Sequence, residues 1–179
     1  MKRKLLFPVI LFLQIVLFAS PAISSPLNAK LTDDTDDAIE YNDKMIAIQI
    51  EVDNCIVYLL DAIETGKKFI IKGAIKECNI SIKQAKKDIK KMGDFQGDDE
   101  YQLKMLDLIA MYEDLIKTEI SDIIDLALNE EELSDEDFES YYNLYDKALV
   151  KYDEGFAEFF EFQYKFADKY GFTIEGDEY

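Results

Sequence analysis

Between Phe138 and Phe172 this chain places thirteen aromatic residues, more than half of its eleven Tyr and twelve Phe. Phe138, Tyr142, Tyr145, Leu149, Tyr152, Phe156, Phe159, Gln163, Phe166 and Tyr170 are spaced alternately by four and three. At about 3.6 residues per turn that spacing lays them along one face of a single long helix. Nine of the ten are aromatic or aliphatic. A stripe this bulky needs other helices to cover it.

Three earlier segments carry matching stripes. A first helix is predicted from Asp36 to Glu64, with Tyr41, Met45, Ile48, Val52, Cys55, Leu59 and Ala62 inward and Ile46, Ile50, Val57 and Leu60 widening the face. Thr65-Gly66 reads as its stop, because Gly takes the left-handed position after a helix without strain. A second helix runs from Lys68 to Met92 on Ile71, Ile75, Cys78, Ile82, Ala85, Ile89 and Met92. After the link Gly93–Asp98, a third runs unbroken from Asp99 to Leu128 on Met105, Ile109, Tyr112, Ile116, Ile120, Ile123 and Ala127. Ser134 and Asp137 form a capping-box start for the fourth, which Gly171 ends. Helices of about 25 to 36 residues span about 40 to 55 Å. Short links make them antiparallel neighbours. The expected fold is all-α: an antiparallel up-down-up-down four-helix bundle over residues 36–172, with coiled-coil-like crossings near 20°.

The ends read differently. Lys2, Arg3 and Lys4 precede an apolar run from Leu5 to Ala19, and Ala22-Ile23-Ser24 offers small residues for a peptidase. Residues 1–24 are therefore expected to be a signal peptide cleaved after Ser24. An uncleaved anchor is the alternative, and a run of roughly 15 residues is short for it. No Cys follows the run to accept a lipid. Residues 25–35 are expected to be a flexible lead and 173–179 an acidic tail, with no transmembrane segment after cleavage. The product would lie in the periplasm, on the outer surface or outside the cell.

Composition removes whole classes of chemistry. The net charge is −18, and loss of Lys2, Arg3 and Lys4 makes the mature chain three units more acidic. That argues against nucleic acid and anionic membrane as partners. Arg3 is the only arginine, so the mature chain has no guanidinium for bidentate grip on phosphate. There is no His, which excludes Glu-x-x-His di-metal sites, Ser-His and Cys-His nucleophile pairs and His-ligated haem. No glycine-rich phosphate loop occurs, and the acidic clusters at 33–37 and 130–137 lack the pattern of a calcium loop. A Ser-Lys or carboxylate-only site stays open, though no spacing points to one. The expectation is no enzyme, no cofactor and no metal.

Cys55 and Cys78 lie on inner stripes, equidistant from the Gly66 turn, so an antiparallel hairpin sets them at one height. In an oxidising compartment a disulfide is expected, closing a loop of about 24 residues worth roughly 3 kcal/mol. Two buried free thiols are the alternative. Helix 2 carries nine lysines, counting Lys67, against Glu77 and Asp88. A charge match to acidic neighbouring helices is the preferred reading, and a docking face for an acidic partner the other. Gln163 breaks the fourth stripe, either to orient a ligand or partner, or to bond a neighbouring backbone group, or because the stripe reaches solvent there. Phe160, Phe162, Tyr164 and Tyr141 lie off that stripe. Gln163 with Phe160, Phe162 and Tyr164 forms a candidate partner patch.

The end of helix 4, with Phe156, Phe159 or Phe160, Gln163, Phe166-Ala167, Lys169-Tyr170 and Phe172, follows a pattern of the kind F-x-x-Q-x-x-F-A-x-K-Y-x-F. With Ala38–Asp43 and Gly93–Asp98, it resembles the leptospiral-type family of small exported bacterial surface proteins, first named in spirochaetes and of unknown function. The resemblance spans the mature chain and implies export, an envelope location and an all-helical domain. It brings no reaction, ligand or catalytic residue. Family members with a lipid-attachment motif differ from this chain, which has none. The functional expectation is an exported, non-enzymatic bundle that binds a protein or envelope component. The alternative is a bundle holding an apolar small molecule near Tyr112, Tyr152 and Phe156.

Overall fold

The computed structural model describes residues 22–24, 33–129 and 134–175. The expected signal peptide up to position 21, the rest of the expected lead from 25 to 32, the link 130–133 and the expected tail beyond 175 lie outside the described residues. The elements are β1 (Ala22–Ser24), α1 (Asp33–Glu64), α2 (Lys68–Met92), α3 (Glu100–Lys117), α4 (Glu119–Asn129), α5 (Asp135–Tyr170) and β2 (Thr173–Glu175). Consecutive helices pack side by side: α1 on α2, α2 on α3, and α3 with α4 on α5, which closes back on α1. This is the four-rod antiparallel bundle that the stripes require.

The local causes are those of the sequence. Gly66 follows α1 at φ 60°, and Gly171 caps α5 in the left-handed region, its N–H bonded to Ala167 O. Ser134 and Asp137 cap the start of α5 reciprocally, satisfying N–H groups that the first turn leaves free. Between α2 and α3, Phe95 and Asp98 exchange two backbone hydrogen bonds around Gln96 and Gly97, both at positive φ. The interior is filled by side chains such as Met45, Leu59, Ile71, Ile89, Met105, Ile109 and Phe159. Each such side chain contributes about 1.5–3 kcal/mol on leaving water. No helix of the described residues is long and apolar enough to cross a membrane.

Four expectations need correction. First, α1 begins at Asp33, inside the expected lead, because acids in a first turn favour the positive end of the helix. Thr35 Oγ1 donates to Tyr170 O at 2.9 Å and ties the start of α1 to the end of α5.

Second, the third rod is two helices. Thr118 sits at φ −111°, ψ −97° and separates α3 from α4. Its hydroxyl donates to Asp114 O at 2.7 Å, competing with the helical ladder. The periodicity passes through Thr118 unbroken, so the spacing alone hides the break.

Third, the inward face of α5 near its start runs through Tyr141, while Tyr142 is exposed. A strict seven-residue repeat drifts by about 20° per heptad on a straight helix, and over 36 residues the neighbouring position takes over. Fourth, Thr173–Glu175 of the expected tail is a strand, paired antiparallel with Ala22–Ser24 through Ile23 opposite Ile174. Ile174 is buried on the end of the bundle.

Candidate functional site

A buried polar seam crosses the bundle. α1 turns Asn42, Gln49 and Asp53 inward, at spacings of seven and four, alongside the apolar Ile46 and Ile56. Tyr101 OH donates to Asn42 Oδ1 at 2.7 Å. Gln163 Nε2 from α5 donates to Asn42 Oδ1 at 3.0 Å and to Tyr101 OH at 3.1 Å. Farther along, Tyr112 OH donates to Asp53 Oδ1, and Gln49 Nε2 to Asp53 Oδ2 at 3.4 Å. Among the described residues Asp53 has no ion pair. Burial pushes its carboxyl up to about 6, against the lowering effect of the bonds from Tyr112 and Gln49. Burial likewise drives the Tyr101 and Tyr112 phenols above their ordinary range.

The proposed partner patch on α5 does not form as one surface. Gln163 is 0 % exposed and belongs to the seam. Its Nε2 bonds explain why a polar residue breaks the stripe, while Oε1 accepts nothing among the described residues. Phe162 is half-buried with its ring 5.3 Å from that of Tyr101. Phe160 is half-buried between Phe156 and Tyr164, at 5.3 Å from each, and only Tyr164 is exposed. Tyr112, Tyr152 and Phe156 fill the interior against one another, with ring centroids 6.0 Å and 5.7 Å apart along the series.

The cysteines meet as the hairpin geometry requires, but the expected bridge is absent. Both are buried free thiols. Cys78 Sγ donates to Cys55 O at 2.7 Å, so this sulfur is turned to a backbone carbonyl. The hydrogen bond with Cys78 and burial push the Cys55 thiol far up.

The lysine face of α2 is where the structure departs most from the preferred reading. Lys86 pairs with Glu113 of α3. The other eight lysines, from Lys67 to Lys91, form no ion pair among the described residues. Their helix faces outward there: Phe69 is 90 % exposed and Ile80 57 %. Phe69, Lys76, Ile80, Lys83, Lys87 and Lys90 follow helical spacing down one open side. α2 has no acid in its first turn and no side-chain cap. Of the expected match to acidic neighbouring helices, the described residues show one direct ion pair, Lys86 with Glu113.

Among the described residues no group of acidic or thiol side chains could hold a metal ion. No family model, curated protein or solved structure matches the chain.

Proposed function

We propose that this chain is a binding protein of the cell envelope rather than an enzyme, and that the outer face of α2 holds an acidic envelope component. The observation that carries the reading is the set of eight lysines without an ion pair among the described residues, interleaved with exposed Phe69 and Ile80. Lysines at i,i+4, such as Lys72 with Lys76 and Lys83 with Lys87, repel by about 0.2–0.5 kcal/mol per pair. A polyanionic partner relieves that repulsion, and the two apolar side chains leave water on docking. The rest of the molecule, at net −18 overall, repels the same partner and so fixes which side docks. The N-terminal sequence and the family resemblance agree with an envelope location.

The test is cosedimentation of the purified protein with isolated envelope at low and high salt. Wild type should bind at low salt and release at high salt. Lys76→Glu with Lys83→Glu and Lys87→Glu should weaken binding about tenfold or more, while Phe160→Ser on α5 should leave it unchanged. Equal binding by the triple variant and wild type would exclude this face.

A further inference from the structure

A groove lies beside the break at Thr118. α4 packs extensively on α5, and its main packing is not on α2. Between α2 and the α3–α4 junction lies a cleft of about 440 Å³. That volume is within the range of sites for small organic ligands, about 300–1,000 Å³. Ile75 of α2, Ile116 of α3, and Ile124 and Leu128 of α4 give it apolar walls. Lys68 and Lys72 stand on it from α2 and Lys117 from α3. Lys117 is paired with Glu113, whereas Lys68 and Lys72 have no ion pair among the described residues. Among the described residues Asp125 is the one acid on the groove, and it forms no ion pair with these lysines. Asn79 and Ser121 add polar groups along its length.

We propose that this groove binds a single-chain anionic amphiphile, with the alkyl chain along Ile75, Ile116, Ile124 and Leu128 and the head group at Lys68 and Lys72. Both halves of the ligand follow from the lining. The apolar walls remove hydrocarbon from water, which favours binding in proportion to the chain length buried. The two lysines favour a carboxylate or phosphate over a neutral or cationic head. An apolar molecule without charge would leave them unanswered, and a short polar anion would leave the walls wet. The groove shares Lys68 and Lys72 with the lysine face of α2, whereas Lys76, Lys83, Lys87 and Lys90 take no part in it.

The test is a fluorescence titration of the purified protein with cis-parinaric acid, a straight-chain fatty acid whose emission rises out of water. The expected result is a saturable single-site signal. Displacement by palmitate or by lysophosphatidylglycerol identifies which source of the anionic chain fits better. Hexadecylamine should displace at least about tenfold less well than palmitate. Lys68→Glu with Lys72→Glu changes two exposed side chains and should weaken palmitate about tenfold or more while leaving displacement by hexadecanol unaltered. Ile75→Trp should fill the groove and weaken all chains alike. No saturable signal from wild type, or equal palmitate affinity in the lysine variant, would overturn the proposal. Ile75→Trp alters no lysine, so it should abolish groove binding while leaving envelope cosedimentation unchanged, and the Lys76, Lys83 and Lys87 variant should do the reverse, which lets the two readings fail separately.

Discussion

The phenol of Tyr112 donates to the carboxylate of Asp53 inside the bundle, with the ring of Tyr152 6.0 Å from that of Tyr112. Burial without a cation among the described residues favours the protonated carboxyl, and it outweighs the bonds from Tyr112 and Gln49, which favour the charged form. Asp53 therefore ties the stability of the fold to pH.

The folded Asp53 carboxyl lies at about 6 and the unfolded reference at 3.8. A raised folded value means that the native state binds the proton more tightly. The stability it contributes is complete below the unfolded value and is lost as pH rises through the folded one. Two units correspond to a cost on the order of 3 kcal/mol above about pH 6. Asp53→Asn should match wild type near pH 4 and exceed it by about 1–3 kcal/mol at neutral pH. The Asn carbonyl still accepts from Tyr112, and a flipped Gln49 accepts from the new amide. Urea denaturation of both proteins across that range measures the difference. A variant less stable than wild type at neutral pH would refute the assignment.

Tyr101 joins Asn42 and Gln163 through one hydroxyl, and its ring meets Phe159, Phe162 and Phe166 at 4.8–5.9 Å. Tyr101→Phe keeps the ring and removes the hydroxyl. Asn42 retains the donor from Gln163, so the loss should be about 1–2 kcal/mol. Urea denaturation at neutral pH reads it. A change near zero would mean that the bonds through Tyr101 contribute nothing net.

The two thiols are shielded by the α1–α2 packing. Native protein should take up no iodoacetamide in mildly alkaline buffer, since both burial and the bond to Cys78 keep Cys55 from ionising. Unfolding in guanidinium without reductant should then release both cysteines to alkylation, read by intact mass. If neither reacts until a reductant is added, the sequence-based disulfide is right for the purified protein and the thiol pair is its reduced form.

What the sequence made legible is the part governed by periodicity. Seams such as Ile71–Met92 place residues by spacing, and caps such as Ser134 with Asp137 act within a few residues. The seam of Asn42, Gln49 and Asp53 was equally periodic with Ile46 and Ile56. It was missed because polar residues were assigned outward, yet one helix can bury two adjacent stripes. Gln163 was the visible sign that a polar partner waited across the core. The Thr118 break could not be found by spacing, since Ile116 and Ile120 keep their step across it. The sequence shows how many lysines α2 carries, but which of them reach an acid depends on how α2 is rotated against α3. That angle is set by packing and has no local sequence signal.

Lys151 spans from α5 to that break. Its Nζ reaches Asp114 on α3, Glu119 Oε2 on α4 at 3.0 Å and Thr118 Oγ1 at 3.2 Å. One cation thus holds groups on both sides of the interruption, where α4 has lost the continuity of the rod. Lys151 and Glu119 are both largely covered, so their attraction is less screened than that of surface pairs. Lys151→Met keeps the aliphatic stem against the bundle but leaves Glu119 beside Asp114 without its cation. The expected loss is about 1–2 kcal/mol, shrinking as salt is raised. Because α4 gains most of its fixing from α5, the effect should be local. Amide exchange should accelerate from Glu119 to Leu128 well before it does in α1 or α2. Uniform acceleration across the bundle would show instead that Lys151 supports the fold as a whole and does not pin the break.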